Sequence, residues 1–507
     1  MRSRWLQVLV LGAITTLVVL QYGPAVHPLI EDRAFFVYLG QQILRGEPIY
    51  QTSFMGYPPL GPLASAATMV VGGVLGLPTY LAPRLGGIAA MVFCVILLSL
   101  FVRRALTSPW AGALAGLVLL SFAQLGRFSV GTLEPKTLVV ALEIATFLAL
   151  QRRRWGAAGL ASAFAASAWQ PAALLSVVSF AVVLYGGRRQ LRPAVRRFAT
   201  GVAIATLPTV LYVTLTESWI EFLQRCIVIH LDWRAPALGE SPLGWIRGSL
   251  RDYANERLFL GVALVSFAVF AIRSLRRPAL GYWVHPRLGG VPLATAVWAI
   301  WNTVEFTGPL DLFTLLPLVA FWVAWGAWRA VVTLGRRLPR GPVRSRVLGS
   351  VVALGLVGTA LYGAADAFLY EPAITLDEQR AAVEEIRATA EGPVMGFGAE
   401  EFYALTQTRS PLPFVHLNVV FEPFVSLVEP AGCSGLLRRI LEARAVVIVD
   451  ENIYQGPCAR GIGHRLVARG YQMRSIGFDK REHWHFRSRP EDVQRLTWHV
   501  YRPKPRP

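Results

Sequence analysis

Apolar runs recur along this chain, separated by short segments rich in arginine. They fall at 5–22, 84–102, 109–126, 136–151, 156–169, 170–187, 198–216, 257–275, 288–304, 310–328 and 346–363. About 20 apolar helical residues cross a hydrocarbon core, so each run is expected to be a transmembrane helix. "WQP" divides 156–169 from 170–187, and proline suits the first turn of the second helix. The predicted fold class is a polytopic α-helical membrane protein with about eleven transmembrane helices and a small extracytoplasmic α/β domain at the C-terminus. Composition agrees: 54% of the residues are hydrophobic and 16% are charged, against about 25% charged in soluble proteins.

The formal net charge of +19 sets the orientation. The basic residues cluster between apolar runs: Arg103–Arg104, Arg152–Arg154, Arg188–Arg189 with Arg196–Arg197, Arg276–Arg277 and Arg336–Arg337. This is the positive-inside pattern. No basic groove module or stacking motif accompanies it, so nucleic acid is excluded as a partner. A cytoplasmic N-terminus puts every cluster inside. The loops 23–83, 127–135, 217–256 and 304–309 then lie outside. This assignment requires the apolar stretch 58–78, "PPLGPLASAATMVVGGVLGLP", to lie on or dip into the outer face; a crossing would reverse everything after it. The first run has a basic start but no A-x-A cleavage signal after it, so it is expected to be an uncleaved span.

Composition changes near residue 370. Residues 1–369 are expected to form the multi-pass domain, and 370–507 a soluble α/β domain outside the cell membrane. "LDEQRAAVEEIRATA" (376–390) has the period of an amphipathic helix. "GPVMGFG", "ARAVVIVD" and "GYQMRSIGF" read as short strands. An outside tail permits a disulfide, and Cys433 with Cys458 is the expected pair. Their spacing fits no zinc motif. Cys94 is expected to pack in a span; Cys226 falls in the third outer loop. The tail's "HWH" (His483, His485), with His464, lacks a third nearby ligand on a rigid element, so no metal site is expected.

The outer loops hold the candidate chemistry. The first carries His27, Glu31, Asp32 and Arg33, then an amphipathic helix ending near Gly46. The second carries Arg127, Glu134 and Lys136, and the third Glu217, Glu221, Arg225, His230, Asp232, Trp233 and Arg234. Glu305 and Asp311 follow in the fourth. Acids and cations gathered at helix ends on one face suit transfer of a sugar from a lipid phosphate. A carboxylate takes the acceptor hydroxyl proton, and cations stabilise the departing phosphate. Asp32 or Glu31 fits the base; Arg33, Arg127 and Lys136 fit the phosphate side. The plainer reading makes the acids a favourable charge at a helix N-terminus. Glu134 and Lys136 are also placed to pair with each other.

Several weak motifs in order resemble the GT-C superfamily of polytopic glycosyltransferases. They are "IEDRAFF", "ILRGEPIY", "YPPLGPL", "APRLGGIAAMVFCVILLSLFVRRAL" and "GTLEPKTLVVALEIATFLALQRRRWGAAGLASAFAASAWQPAALL", with "LDLFTLLPLVAFW" near 311–323. The resemblance implies a dolichyl- or polyprenyl-phosphate sugar donor, mannosyltransferase-like hexose transfer and anomeric inversion. The implied acceptor is a lipid-linked glycan, polysaccharide or protein. It places the first-loop acid on Asp32, beside Glu31, and a second acid on Glu134. Family members often have a basic residue before the proline at the end of the fifth span; this chain has Trp169 there. No cofactor is specified, and a divalent metal is not required. The rival readings are a multi-pass transporter, which would place ionisable residues near the bilayer midplane, and a non-catalytic scaffold. The ionisable residues are expected at span ends instead.

Overall fold

The structure is a computed structural model that describes all residues except 1, 30–31, 230–252, 254, 276–279, 305–308, 340, 371, 373, 413–421, 428, 451–456, 479–495 and 505–507. Helices α1 (Arg2–Gln21), α2 (Asp32–Leu44), α3 (Ile49–Thr52), α4 (Leu60–Val74), α5 (Ala82–Leu106) and α6 (Pro109–Leu120) come first. Then follow α7 (Ala123–Gly131), α8 (Pro135–Gln151), α9 (Trp155–Ala168), α10 (Ala173–Gly186), α11 (Leu191–Thr216) and α12 (Trp219–Leu223). After these come α13 (Arg257–Leu275), α14 (Val291–Val304), α15 (Leu316–Arg337) and α16 (Pro342–Leu369). The tail holds α17 (Leu376–Thr389), β1 (Val394–Phe397), α18 (Glu400–Thr406), α19 (Gly432–Ala443), β2 (Val446–Asp450), α20 (Pro457–Ala468), β3 (Gln472–Phe478) and β4 (Leu496–Arg502).

Every apolar run expected to cross is overlaid by a helix. Among the described residues, five helices (α5, α11, α13, α15 and α16) are long and apolar enough to span a membrane on their own. The pair α6–α7, bent by 65°, makes a sixth if counted as one span. The stretch 58–78 folds as α4, whose 15 residues reach about 22 Å at 1.5 Å per residue, short of a hydrocarbon core of about 30 Å. α4 packs between α2 and the bundle helix α5. The α2 helix stops where the chain turns through Gly46 at φ +72°, the left-handed region that glycine reaches without strain.

One expectation is corrected. Ionisable residues are not confined to span ends: Glu143 sits in the middle of α8 and is fully buried. Its Oε1 accepts the indole N–H of Trp298 at 3.0 Å. Trp298 in turn stacks on Trp169, with ring centroids 5.8 Å apart.

The tail sheet has strand order β1-β2-β4-β3. β1 and β2 are parallel; β4 runs antiparallel to both β2 and β3. Strand side chains alternate between faces, and both faces are covered here. Val447, Val449 and Tyr501 face α19 and α20. Val446, Ile448, Trp498 and Val500 share a core with α17, α18 and the first-loop helix α2, including Phe35 and Phe36. α17 starts with a capping box, in which Thr375 and Glu378 satisfy each other's backbone N–H. Cys433 and Cys458 are joined by a disulfide, with their Cα atoms 5.6 Å apart.

Candidate active site

The first loop, the second loop and the ends of α15 and α16 meet at one end of the bundle. Asp32 opens α2 and is half-buried. A carboxylate there is favoured by the helix dipole. Glu31 lies outside the described residues. Arg33, one residue on, is buried. Its guanidinium lies over the Phe128 ring of α7, 4.7 Å from the centroid. The arginine stem presses on Gly131, where a Cβ would come within 2.2 Å of Arg33 Cδ. Glu134 is buried at the N-cap position of α8, without a side-chain capping hydrogen bond. Pro135 beside it abuts α4, because a Cβ on Gly61 would lie 2.6 Å from Pro135 Cγ. "YPPLGPL" and "LEPK" are therefore in direct contact.

Arg127 and Lys136 each meet a carboxylate from far along the chain. Arg127 donates to both oxygens of Asp366 on α16 at 3.0 Å and covers the Tyr370 ring at 4.7 Å. Tyr22 also donates to Asp366, at 3.1 Å. Lys136 pairs with Asp311 at 2.6 Å, not with Glu134, and its ammonium lies 5.3 Å from the Trp169 ring centroid. Trp169 is thus a wall against which this lysine rests.

Two cations at this end have no such match. Arg84, in the first turn of α5, is only 2% exposed. Its Nη1 donates to the Pro24 carbonyl, while its Nε and Nη2 are buried without an acceptor. Arg33 Nε is likewise buried without an acceptor. Neither arginine makes an ion pair among the described residues. Within the field of both is His27, which burial pushes well below its usual pKa, assisted by Arg33, Arg84 and Arg127. Its Nδ1 donates to the Pro28 carbonyl at 3.0 Å, and its Nε2 lies 3.2 Å from the Tyr370 hydroxyl. Leaving a buried charge uncompensated costs about 3 to 5 kcal/mol. Two such guanidiniums beside a buried imidazole form a candidate anion site.

Sequence reading missed Arg84. The available signal was its place: in the expected orientation, an arginine at that end of a span runs against the positive-inside bias. It also missed Glu256, just before α13. This carboxylate accepts from the Ala123 N–H at 3.2 Å. Burial raises its pKa to about 7; the nearby Asp366 adds to the rise, and Arg127 opposes it. Glu217, after α11, accepts from the Tyr50 N–H and the Tyr212 hydroxyl, and burial likewise raises it to about 7. Arg225 lies over Phe54 at 5.1 Å. Cys226 is buried, its thiol donating to the Tyr57 carbonyl at 3.1 Å. His230, Asp232, Trp233, Arg234 and Glu305 fall outside the described residues, as do His483 and His485. Among the described residues, no three His, Cys, Asp or Glu side chains are grouped to hold a metal.

The fold agrees with the GT-C resemblance and is shared with solved structures of ArnT and of an oligosaccharyltransferase. ArnT from Cupriavidus metallidurans, solved with undecaprenyl phosphate, superposes with a TM-score of 0.57 at 13% identity over 97% of each chain. The Archaeoglobus fulgidus oligosaccharyltransferase, solved with a tethered acceptor peptide, superposes with a TM-score of 0.54 at 14% identity, over 87% of this chain and 69% of its own. By sequence the chain is similar to the dolichol phosphate-mannose mannosyltransferase of Haloferax volcanii, 21% identical over 295 residues. That match covers 58% of this chain and 61% of the relative's length. No family model matches the chain.

Proposed function

We propose that this protein is an inverting membrane glycosyltransferase that moves a hexose from a polyprenyl- or dolichyl-phosphate carrier to a lipid-linked glycan, polysaccharide or protein. The observation that carries this reading is the pair of buried guanidiniums of Arg33 and Arg84, neither in an ion pair among the described residues, with Arg33 directly following the acid that opens α2. Arg33 and Arg84 hold the carrier phosphate. Asp32 takes the proton of the acceptor hydroxyl as its oxygen attacks the anomeric carbon. The bond from that carbon to the phosphate oxygen breaks, and its electron pair leaves with the phosphate, stabilised by the two arginines. Attack opposite the leaving group inverts the anomeric centre. Glu134 orients the acceptor. Arg127 and Lys136, held by Asp366 and Asp311, contribute positive field rather than direct grip.

In this reading about eleven segments cross the membrane, with residues 1–369 in the bilayer and 370–507 outside. The N-terminus is cytoplasmic, and the carrier headgroup arrives at the outer face. The short length of α4 and the arginine clusters between spans support that orientation. Glu143 is a feature shared with a transporter, but its carboxylate is engaged by Trp298 inside the bundle.

The test is sugar transfer by purified protein from a polyprenyl-phosphate hexose. Asp32→Asn is expected to lower kcat by about a hundredfold or more, with donor binding retained. Unchanged transfer by Asp32→Asn removes Asp32 from the reaction. Solute uptake into liposomes without any transfer overturns the glycosyltransferase reading as a whole.

A further inference from the structure

A cavity of about 970 Å³ lies at the end of the bundle opposite the candidate active site. Its place follows from chain direction. α9 runs from Trp155 at the cavity to Trp169 at the site, and α11 runs from Leu191 at the cavity toward Glu217. Five arginines line it: Arg153, Arg154, Arg192, Arg196 and Arg197. None of the five makes an ion pair among the described residues.

Charge alone would be the solvated positive-inside rim. Three further features make it a binding site. First, the wall is apolar: Trp155, Leu160 and Ile204 lie among the arginines. Second, α9 begins here, so its N-terminus directs positive potential into the space that the side of α11 lines. The first turn of α9 lies against α11 because their backbones touch; a Cβ on Gly201, ten residues into α11, would fall 2.0 Å from the Gly156 carbonyl oxygen. Third, the cavity continues into an exposed apolar stripe along α11. Ile204, Leu207 and Leu211 share one helical face and are each about half exposed (55%, 50% and 47%). A ligand matching all three features carries a negative headgroup and long hydrocarbon tails.

We infer that this cavity binds an anionic phospholipid, its phosphate among the five arginines and its acyl chains along the α11 stripe. Arginine forks suit phosphate oxygens, and basic pockets between membrane helices on the cytoplasmic side recruit such headgroups. The site is distinct from the donor phosphate site at the other end of the bundle, and binding there needs no sugar donor.

Native mass spectrometry of the delipidated full chain with phosphatidylglycerol, phosphatidylcholine or inorganic phosphate tests this. Phosphatidylglycerol is expected to bind at least about tenfold more tightly than phosphatidylcholine. Equal binding of the two lipids, or displacement of phosphatidylglycerol by millimolar inorganic phosphate, overturns the inference. The triple variant R192A/R196A/R197A is expected to weaken phosphatidylglycerol on the order of a hundredfold. A control that removes three arginines outside the cavity, R188A/R189A/R346A, is expected to change binding by about twofold or less. Equal losses in the two triples would mean a diffuse basic rim and would overturn the site. Hydrogen exchange on the wild-type protein needs no variant. Added phosphatidylglycerol should protect peptides covering 153–160 and 192–204, and no protection there overturns the inference.

Discussion

Gln379 grips Leu29 by both of its peptide groups: the Leu29 N–H donates to Gln379 Oε1 at 3.0 Å, and the Gln379 amide donates to the Leu29 carbonyl at 2.6 Å. Leu29 lies three residues before Asp32, and Gln379 is on α17 in the tail. The loop bearing the candidate base is thus anchored by a side chain 350 residues away. Gln379→Leu would leave two buried backbone groups without partners, at about 1 to 3 kcal/mol each. The expected result is a lower melting temperature and faster hydrogen exchange at Leu29, with transfer falling by about tenfold as Asp32 loses its placement. Gln379→Glu keeps the acceptor and loses the donor, so it should fall between the two.

Arg84 separates binding from stability. Its unmatched charge is unfavourable to the fold and useful to an anion. Arg84→Met should raise the melting temperature of the donor-free protein, by about 1 to 3 kcal/mol of stability. The same change should weaken product inhibition by polyprenyl phosphate at least about tenfold. A structural arginine would give the opposite sign in the melting experiment.

Gly131→Ala probes Arg33 without touching its charge. The new methyl group would overlap Arg33 Cδ, so the guanidinium must move. Overpacking of this kind costs about 1 to 3 kcal/mol. Donor KM should rise several-fold while the protein remains folded by circular dichroism. An unchanged KM would show that Arg33 does not face the donor.

Glu256 gives a pH signature. Its carboxyl is raised from 4.5 to about 7 by burial, so the folded state holds a proton that the unfolded state has released. That raises the cost of folding as pH climbs from about 4.5 to 7, and the full penalty of about 3 kcal/mol is present above 7. Glu256→Gln keeps the acceptor oxygen for Ala123 and removes the penalty. Its melting temperature should exceed the wild type at pH 8 and match it at pH 4.5. Equal melting at pH 8 would mean that Glu256 is solvated.

Periodicity made the helices legible. All the apolar runs, the 376–390 helix and three of the four strands lie where hydrophobic spacing places them. Strand β4, "LTWHVYR", escaped because its arginine- and proline-rich continuation reads as a basic end. The site was legible only in part. Asp32, Arg33 and Glu134 are found in loops whose polarity stands out beside a membrane. The partners are not local: Asp366 reaches Arg127 across 239 positions and Asp311 reaches Lys136 across 175. No period encodes such pairs, and so the difference between matched and unmatched cations was invisible. Glu143 escaped for the opposite reason, since one acid within an apolar run barely changes its hydropathy.

Helix α2 has a mechanical role that follows from its packing. Its 13 residues make a rod of about 20 Å. Asp32 forms one tip. Toward the other, Gln41 donates to the Ala404 carbonyl at 2.9 Å, and Tyr38 accepts from the Ser410 N–H at 3.0 Å on the segment after α18. A molecule that leans on the sheet and shifts it by a fraction of an ångström moves the same rod that carries the carboxylate. Docking far from the reaction is thereby converted into aim.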